Sequence, residues 1–278
     1  MTNSPPETLH SGEYFGTVVK CVEVADSRLA LVRHDEQRLI PLHQHECAYF
    51  CLLLHGRYTE CYGAQTIDYL PFMMALHPPG FRHSDEIVDA GSVFFMVALE
   101  EVWIAKLAEV IDLKAVKVEL RGNDLVWLAM RLFKLFTEFA QESALHVESL
   151  LYELVAGAAR FDDVSKDANI SWLQRALVFL DSNFTEGLSM KQIAEAAGVH
   201  PVTLARAFRV HHQQTVSEYI NRLRVRLGCE KLLSGDTSLA TISAECGFVD
   251  QSYFTKVFKG FTGTTPAALR HILHGALE

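Results

Sequence analysis

The sequence predicts an α+β protein in which a β-rich N-terminal barrel with a helical hairpin precedes an all-α C-terminal domain. Three observations predict it. Residues 15–99 alternate short β-rich runs with glycine and proline at close intervals. Residues 101–161 change to helical spacing of the apolar positions. Residues Ser189–Arg270 carry the same pattern of residue classes twice, about fifty positions apart. The predicted organisation is a barrel over 1–100, a helical segment over 101–161, a linker over 162–169 and a helical domain over 170–278.

Within the β-rich part, Val18–Val24 is rich in strand formers and Tyr49–Leu54 is a continuous apolar run. Gly56, Gly63, Pro71, Pro78-Pro79-Gly80 and Gly91 punctuate it, as in an antiparallel barrel. His43-Gln44-His45 precedes the apolar run, and the spacing of two puts both histidines on one face of a strand. Pro78-Pro79-Gly80-Phe81-Arg82-His83 follows later. Together these segments resemble the two cupin motifs, and the resemblance implies that His43, His45 and His83 converge inside the barrel. In cupin enzymes a glutamate four or five residues on completes a metal site. Tyr49 and Phe50 stand at those positions here, Glu46 is expected on the face opposite His45, and the first glycine of the second motif is missing.

Three readings of the histidines stay open. One is a three-histidine metal site, since imidazole suits Zn, Fe, Ni and Cu. Another is a metal-free pocket in which His43, His45, Tyr49 and His83 bind a small-molecule effector. The third is a structural triad satisfied by its neighbours. Without the carboxylate we expect no catalytic metal and no cofactor. His55 and His77 lie outside the motif positions and read as barrel or surface histidines.

From residue 101 the period is helical. Val102–Ile111 forms one candidate helix, and Leu125, Leu128, Leu132, Leu135-Phe136 and Phe139 mark a second. Leu150-Leu151, Leu154-Val155 and Ala158 mark a third, with Gln141–His146 as the turn. Trp127, Met130, Phe133 and Phe136 make the second helix apolar nearly all round. Such a helix needs cover on two sides, from the barrel and from something else, which is either another part of the same chain or a second copy of it. Asp162–Asn169 is short, polar and charged and reads as the interdomain linker.

The duplicated stretch follows a support helix marked by Trp172, Leu173, Ala176, Leu177 and Leu180. Its first half has Ile193-Ala194, Gly198-Val199, Leu204, Phe208 and Arg209; its second has Ile242-Ser243, Gly247-Phe248, Phe254, Phe258 and Lys259. The offset is 49 up to the glycine and 50 after it, so one turn is a residue longer. Each half reads as a short helix, a tight turn and a second helix. Gly198 and Gly247 supply the positive φ at the corner, and Leu204 and Phe254 plug the angle between the helices. This is a helix-turn-helix, whose second helix fits a DNA major groove. Ser189 is placed as an N-cap, Thr215 and Glu218 as a capping box, and Thr265 as the cap of a last helix starting at Pro266. Between the halves a helix of about 18 residues, roughly 27 Å long, fixes their spacing near one DNA turn. Ser234-Gly235 ends it.

On the first recognition helix, near His200–Val210, the face opposite the core carries Val202, Thr203, Ala205, Arg206 and Arg209. On the second, Tyr253, Phe254 and Phe258 are expected inward and Gln251, Ser252, Thr255 and Lys256 outward, with Lys259 set for a phosphate. Residues 172–270 resemble the DNA-binding domain of the AraC/XylS family of bacterial transcription regulators. The motif that carries it best is Gly247-Phe248-x-x-x-Ser252-Tyr253-Phe254-x-Lys256-x-Phe258-Lys259, then Gly263-Thr264-Thr265-Pro266 and Arg270. The first half departs from the family pattern, with Val210-His211-His212-Gln213 where a basic residue and Phe-Gly are usual.

The resemblance implies double-stranded DNA and RNA polymerase as partners, a homodimer, and an activator in preference to a repressor. A ligand in the barrel would bias domain or dimer arrangements. A rival reading is a cupin-type metal-dependent enzyme fused to a DNA-binding domain.

Composition is compatible with this organisation. The net charge of −9 is unevenly spread: residues 1–169 carry 14 Lys+Arg against 25 Asp+Glu, and residues 170–278 carry 11 against 9. The acidic balance thus falls outside the DNA-reading part, whose own +2 predicts weak sequence-independent affinity. Met1–Tyr14 lacks a basic, then apolar, export pattern, and no apolar run is long enough to span a bilayer. Six cysteines without C-x-x-C spacing read as reduced thiols, so the expected location is cytoplasmic, without a membrane partner.

Overall fold

The structure is a computed structural model that describes residues 6–107, 118–121, 124–165, 171–212, 214–233 and 237–277. The chain divides into two compact units, Met1–Asp162 together with Ile272–Glu278, rich in strands, and Asp163–His271, which is helical.

The first unit contains strands β1 (Glu7–Leu9), β2 (Thr17–Val24), β3 (Ser27–His34), β4 (Arg38–His45), β5 (Ala48–His55), β6 (Tyr58–Tyr62), β7 (Gln65–Tyr69), β8 (Met73–His77), β9 (His83–Ile87) and β10 (Ser92–Leu99). Helix α1 (Glu101–Leu107), strand β11 (Val118–Arg121) and helices α2 (Asp124–Thr137) and α3 (Ala144–Ser165) follow. The strands form two sheets, ordered β1-β4-β9-β6-β7 and β11-β8-β5-β10-β3-β2. The expected barrel takes the form of two facing sheets: β4 and β5 are joined by a tight turn yet belong to different sheets, so the ladder is interrupted there.

Strand alternation explains the core. Tyr49, Cys51 and Leu53 of β5, with Phe94, Met96 and Ala98 of β10, point between the sheets. Phe50, Leu52, Phe95 and Val97 occupy the other face and are also buried. Both strands thus lie under cover on two sides, which accounts for their continuous apolar runs.

That outer cover is helical. Phe95 packs against Phe133 and Phe136 of α2 with ring centroids 5.2 and 5.3 Å apart. On its other side α2 meets α3 so closely that a β-carbon at Gly157 would overlap Leu125. Trp127, Met130, Phe133 and Phe136 are at most 4% exposed in the single chain. Of the two covers left open for α2, the single chain supplies the one from within itself, by the sheet and α3.

Three more expectations in this region change. Residues 118–121 are a strand on the edge of the six-stranded sheet, with Val118 opposite Leu76 and Arg121 opposite Met73. The turn expected over Gln141–His146 is a 3-10 turn at Gln141–Ser143, with α3 already under way at Ala144. α3 runs to Ser165, so the first four residues of the expected linker are helical, while 166–169 lie outside the described residues. The part of Val102–Ile111 beyond Leu107 also lies outside them.

The second unit begins with α4 (Ser171–Asn183), α5 (Met190–Ala197) and α6 (Pro201–His211). α7 (Val216–Leu233), α8 (Leu239–Glu245), α9 (Gln251–Thr262) and α10 (Pro266–Leu277), the last of which is assigned to the first unit from Ile272 on, complete the order. The expected caps form. Ser189 and Gln192 make a capping box on α5. Thr215 Oγ1 accepts from the Glu218 amide while Glu218 Oε2 accepts from that of Thr215. Thr265 Oγ1 accepts from the amide of Ala268. The end of α7 at Ser234-Gly235 lies outside the described residues.

Candidate nucleic-acid interface and buried cavity

The two halves of the helical unit are built alike. α5 ends at Gly198 with φ +75°, and α8 is followed by Gly247 with φ +82°. His200 caps α6 through Nδ1, and Asp250 caps α9 through its carboxylate, 2.7 Å from the amide of Tyr253. One residue separates Gly198 from its cap, and two separate Gly247 from its own. The second turn's extra residue is therefore beside Val249, which is 92% exposed.

Leu204, Phe208, Phe254 and Phe258 are fully buried. Leu204 and Phe208 join Leu173 and Ala176 of α4 and Ile193 and Ala197 of α5 in one core. The opposite faces are open: Val202, Thr203, Arg206 and Arg209 on α6 are exposed and Ala205 is half-buried. On α9, Gln251, Ser252, Lys256 and Lys259 are exposed. Thr255 is half-buried, and its hydroxyl donates to the carbonyl of Gln251 2.9 Å away, so it is already engaged. Tyr253 departs from expectation. It is 43% exposed, one helical step round from the buried Phe254, and its hydroxyl accepts from Asn221 at 3.4 Å. The departure at Val210–Gln213 also has a local account. The His212 ring packs 5.1 Å from Phe208 and 6.0 Å from Tyr219, while Val210 is solvent-facing.

A second constellation lies between the sheets of the first unit. Three cross-strand pairs make it: His43 opposite His83 across β4 and β9, Glu60 opposite Asp85 across β6 and β9, and Tyr49 opposite His77 across β5 and β8. The His77 and His83 rings stack 5.0 Å apart and bridge the sheets. These groups line one end of a cavity of about 60 Å³, room for a handful of waters, whose other walls include Leu9, Phe15, Val32, Ile40, Phe94 and Met96.

Hydrogen bonds set the tautomers. Nδ1 of His43 donates to the carbonyl of Pro41 at 2.9 Å, and Nδ1 of His83 donates to that of Phe81 at 3.3 Å. The lone pair of each ring is therefore on Nε2. The Tyr49 hydroxyl donates to His83 Nε2 at 3.1 Å. His77 Nε2 meets Glu60 Oε1 at 2.6 Å, and the Tyr69 hydroxyl donates to Glu60 Oε2 at 3.0 Å. Burial pushes His45 down to about 3 and lowers His43 and His83, with neighbouring histidines adding to it. Burial raises Asp85 well above the usual carboxylate range, and the charge of Glu60 adds to that. Neutral imidazoles with inward lone pairs can accept hydrogen bonds or hold a metal.

The structure thus brings His43, His45, Tyr49 and His83 together, and Glu46 turns outward to His10 as expected. It also adds Glu60, His77 and Asp85. His77 is only 4% exposed, so of its two readings, barrel or surface, it takes the first, and it lines the cavity besides. A signal was present: Met73, Ala75 and His77 alternate along β8, and the first two face the core. His55 is half-buried at the end of β5. No helix among the described residues is long and apolar enough to cross a membrane.

Comparison with known proteins places the helical unit. A family model described as a helix-turn-helix domain matches residues 193–272. The chain is 28% identical over 134 residues to the HTH-type transcriptional activator RhaS of Pectobacterium carotovorum subsp. carotovorum, covering 48% of each chain. It is 30% identical over 101 residues to the bifunctional transcriptional activator/DNA repair enzyme AdaA of Bacillus subtilis, covering 36% of this chain and 48% of that one. Among solved structures, an AraC-type DNA-binding-domain regulator from Chromobacterium violaceum is 27% identical over 36% of this chain and 89% of its own, with a TM-score of 0.35. The chain spans about half the length of these two curated relatives. The helical unit thus carries a helix-turn-helix domain over residues 193–272, with the caps, corner glycines and buried plugs described above, and is similar in sequence to the DNA-binding parts of these regulators.

Proposed function

We propose that the protein is a sequence-specific transcription regulator whose DNA binding responds to a ligand held between the sheets of its N-terminal unit. One observation carries the DNA reading. Two similarly built helices, α6 and α9, bury one face completely and leave the other open, and the 18-residue α7 between them is about 27 Å long. That spacing suits two successive major-groove segments on one side of a duplex. Arg206 is the side chain on α6 able to make a bidentate contact to guanine, with Val202 and Ala205 suited to thymine methyls. Arg209 and Lys259 suit phosphates. Thr203, Gln251, Ser252 and Lys256 complete the proposed reading faces.

Activation is the sense we favour, supported by the RhaS and AdaA relatives, which are transcriptional activators. RNA polymerase and a second copy of the chain are partners implied by family resemblance alone. The ligand reading is supported by the cavity, which gathers His43, His45, Tyr49 and His83 behind apolar walls. The reading is that of a regulator, with the cavity serving binding and not catalysis.

The test is genome-wide mapping of DNA bound by the full chain, followed by titration on the recovered sites. Expected is a two-part site with its halves one helical turn apart, bound in strong preference to scrambled DNA. Uniform binding without a shared site would overturn it.

A further inference from the structure

We propose that the polar end of this cavity binds one divalent transition-metal ion through Glu60, His77 and His83. The proposal rests on the reading of the cavity as a ligand site and names the ligand's class.

The first argument is geometric. Each of the three residues offers one ligand atom, and these atoms lie within 4.8 Å of one another. Ligands at about 2.0–2.1 Å from a zinc-like ion sit roughly 3–4 Å apart, so small side-chain rotations close the site. All three residues are at most 4% exposed. They come from β6, β8 and β9, across both sheets, so the ligand directions converge from more than one side.

The second argument is charge. Glu60, 1% exposed, and Asp85, with 13% of its side chain exposed, are directly opposed across β6 and β9, and both line the cavity. No lysine or arginine lines the cavity among the described residues. Like charges directly opposite are unfavourable in a sheet, the more so without solvent. One divalent ion balances both carboxylates. Asp85 Oδ2 also lies 3.9 Å from His43 Nε2 and 3.7 Å from His83 Nε2, too far to hydrogen-bond either. That separation between lone-pair atoms is one a cation among them would satisfy.

The third argument is the supporting shell. Metal-bound histidines usually donate their second nitrogen to a carbonyl or carboxylate, and ligating carboxylates are themselves hydrogen-bonded. His83 has the carbonyl of Phe81 on Nδ1, and Glu60 has the hydroxyl of Tyr69 on Oε2. His77 Nδ1 is buried without a hydrogen-bond partner. An ion would replace the 3.1 Å bond from Tyr49 to His83 Nε2 and relax the His77–Glu60 contact. His43 and His45 form a second possible group with His83, but that group has no carboxylate. Imidazole with carboxylate suits Zn2+, Fe2+, Co2+ or Ni2+.

The experiment uses full-length protein stripped with a chelator, then titrated with Co2+ and, separately, Zn2+, Ni2+ and Fe2+. Binding is read by cobalt absorption and by melting temperature, and operator binding is measured on the same samples. Expected is one ion per chain and a melting temperature raised by roughly 5–10 °C at one hundred times Kd. Glu60→Gln and His77→Gln should each weaken binding at least about 100-fold, beyond the usual loss from an outer-shell change. His55→Gln, at the end of β5 and outside the cavity lining, should retain it. Circular dichroism of the metal-free variants checks folding. Should Glu60→Gln fail to fold, His77→Gln and Tyr69→Phe decide, both expected to weaken binding. Loss on His45→Gln with retention in Glu60→Gln and His77→Gln would move the ion to the all-histidine group and overturn the proposal. So would the absence of stoichiometric binding by any of the four ions. If no ion binds but the chain still selects its operator, the proposal falls and the regulator reading stands. If an ion binds as described but no operator is selected, the site stands and the regulator reading falls.

Discussion

Gly247 lies with its α-carbon against the carbonyl of Thr185, so closely that a β-carbon at Gly247 would overlap that oxygen. Its counterpart Gly198 is different. A β-carbon there meets only Arg175 Nη2, at 3.4 Å, the far end of a flexible side chain. Both glycines have positive φ. Gly198→Ala should therefore cost about 1–2 kcal/mol, the strain of a left-handed alanine. Gly247→Ala should cost several kcal/mol more, since backbone must move. Urea unfolding of the helical unit's transition measures both. Equal losses would show that the Thr185 contact yields freely.

Arg206→Ala and Lys259→Ala should differ in kind. The first should cost about 1–3 kcal/mol of binding and relax preference at one base pair. The second should weaken binding to all sequences alike and reduce the salt slope by about one. Titrations on operator and scrambled DNA across a salt series separate these. If Arg206→Ala weakens both DNAs equally with a shallower slope, Arg206 contacts phosphate and the proposed register is wrong.

Acid should destabilise both units through buried histidines. Burial, with Arg38 adding, pushes His34 down to about 4; burial, with Arg222 adding, does the same to His212. Their folded values are below the unfolded 6.5, so the unfolded chain takes up protons first. These residues cost nothing above pH 6.5, and stability falls as pH drops from there toward 4. The loss should be on the order of 1–3 kcal/mol per histidine. His212→Gln should flatten the profile of the helical unit over that window, followed by urea midpoints at a series of pH values. Parallel profiles for variant and parent would exonerate His212.

Phe133→Ala tests how α2 is covered. Phe133 is fully buried between Phe95 and its own helix neighbours within one chain. Its truncation should cost about 3–5 kcal/mol. That loss should be the same at low and high protein concentration, measured by thermal unfolding over a hundredfold range. A loss that vanishes at high concentration would make a second chain the cover.

The helical unit was legible because its determinants are local. Ser189 and Thr215 cap amides three residues on, Gly198 and Gly247 turn the chain by their own positive φ, and Leu204 and Phe254 are marked by the spacing within their own helices. Helix hydrogen bonds span four residues, so residue spacing alone carries most of that information. Tyr253 was misplaced because it sits at the edge of the buried arc, where spacing alone does not decide exposure.

The strand unit was legible only in part, since its partners are distant in sequence. Spacing put His43 and His45 on one strand face, while His83 and Tyr49 were legible through the resemblance to the cupin motifs. Glu60, His77 and Asp85 entered the cavity through pairings such as β6 with β9 and β5 with β8, which no local pattern specifies. The same holds for the division into two sheets, for β11 as an edge strand, and for α3 as the second cover of α2. By itself the sequence determined which segments turn, cap and alternate, because those are short-range consequences of backbone sterics and hydrogen bonding. Tertiary structure alone decided which buried faces meet, because strand register joins residues far apart along the chain and thereby sets which charges share a dry cavity.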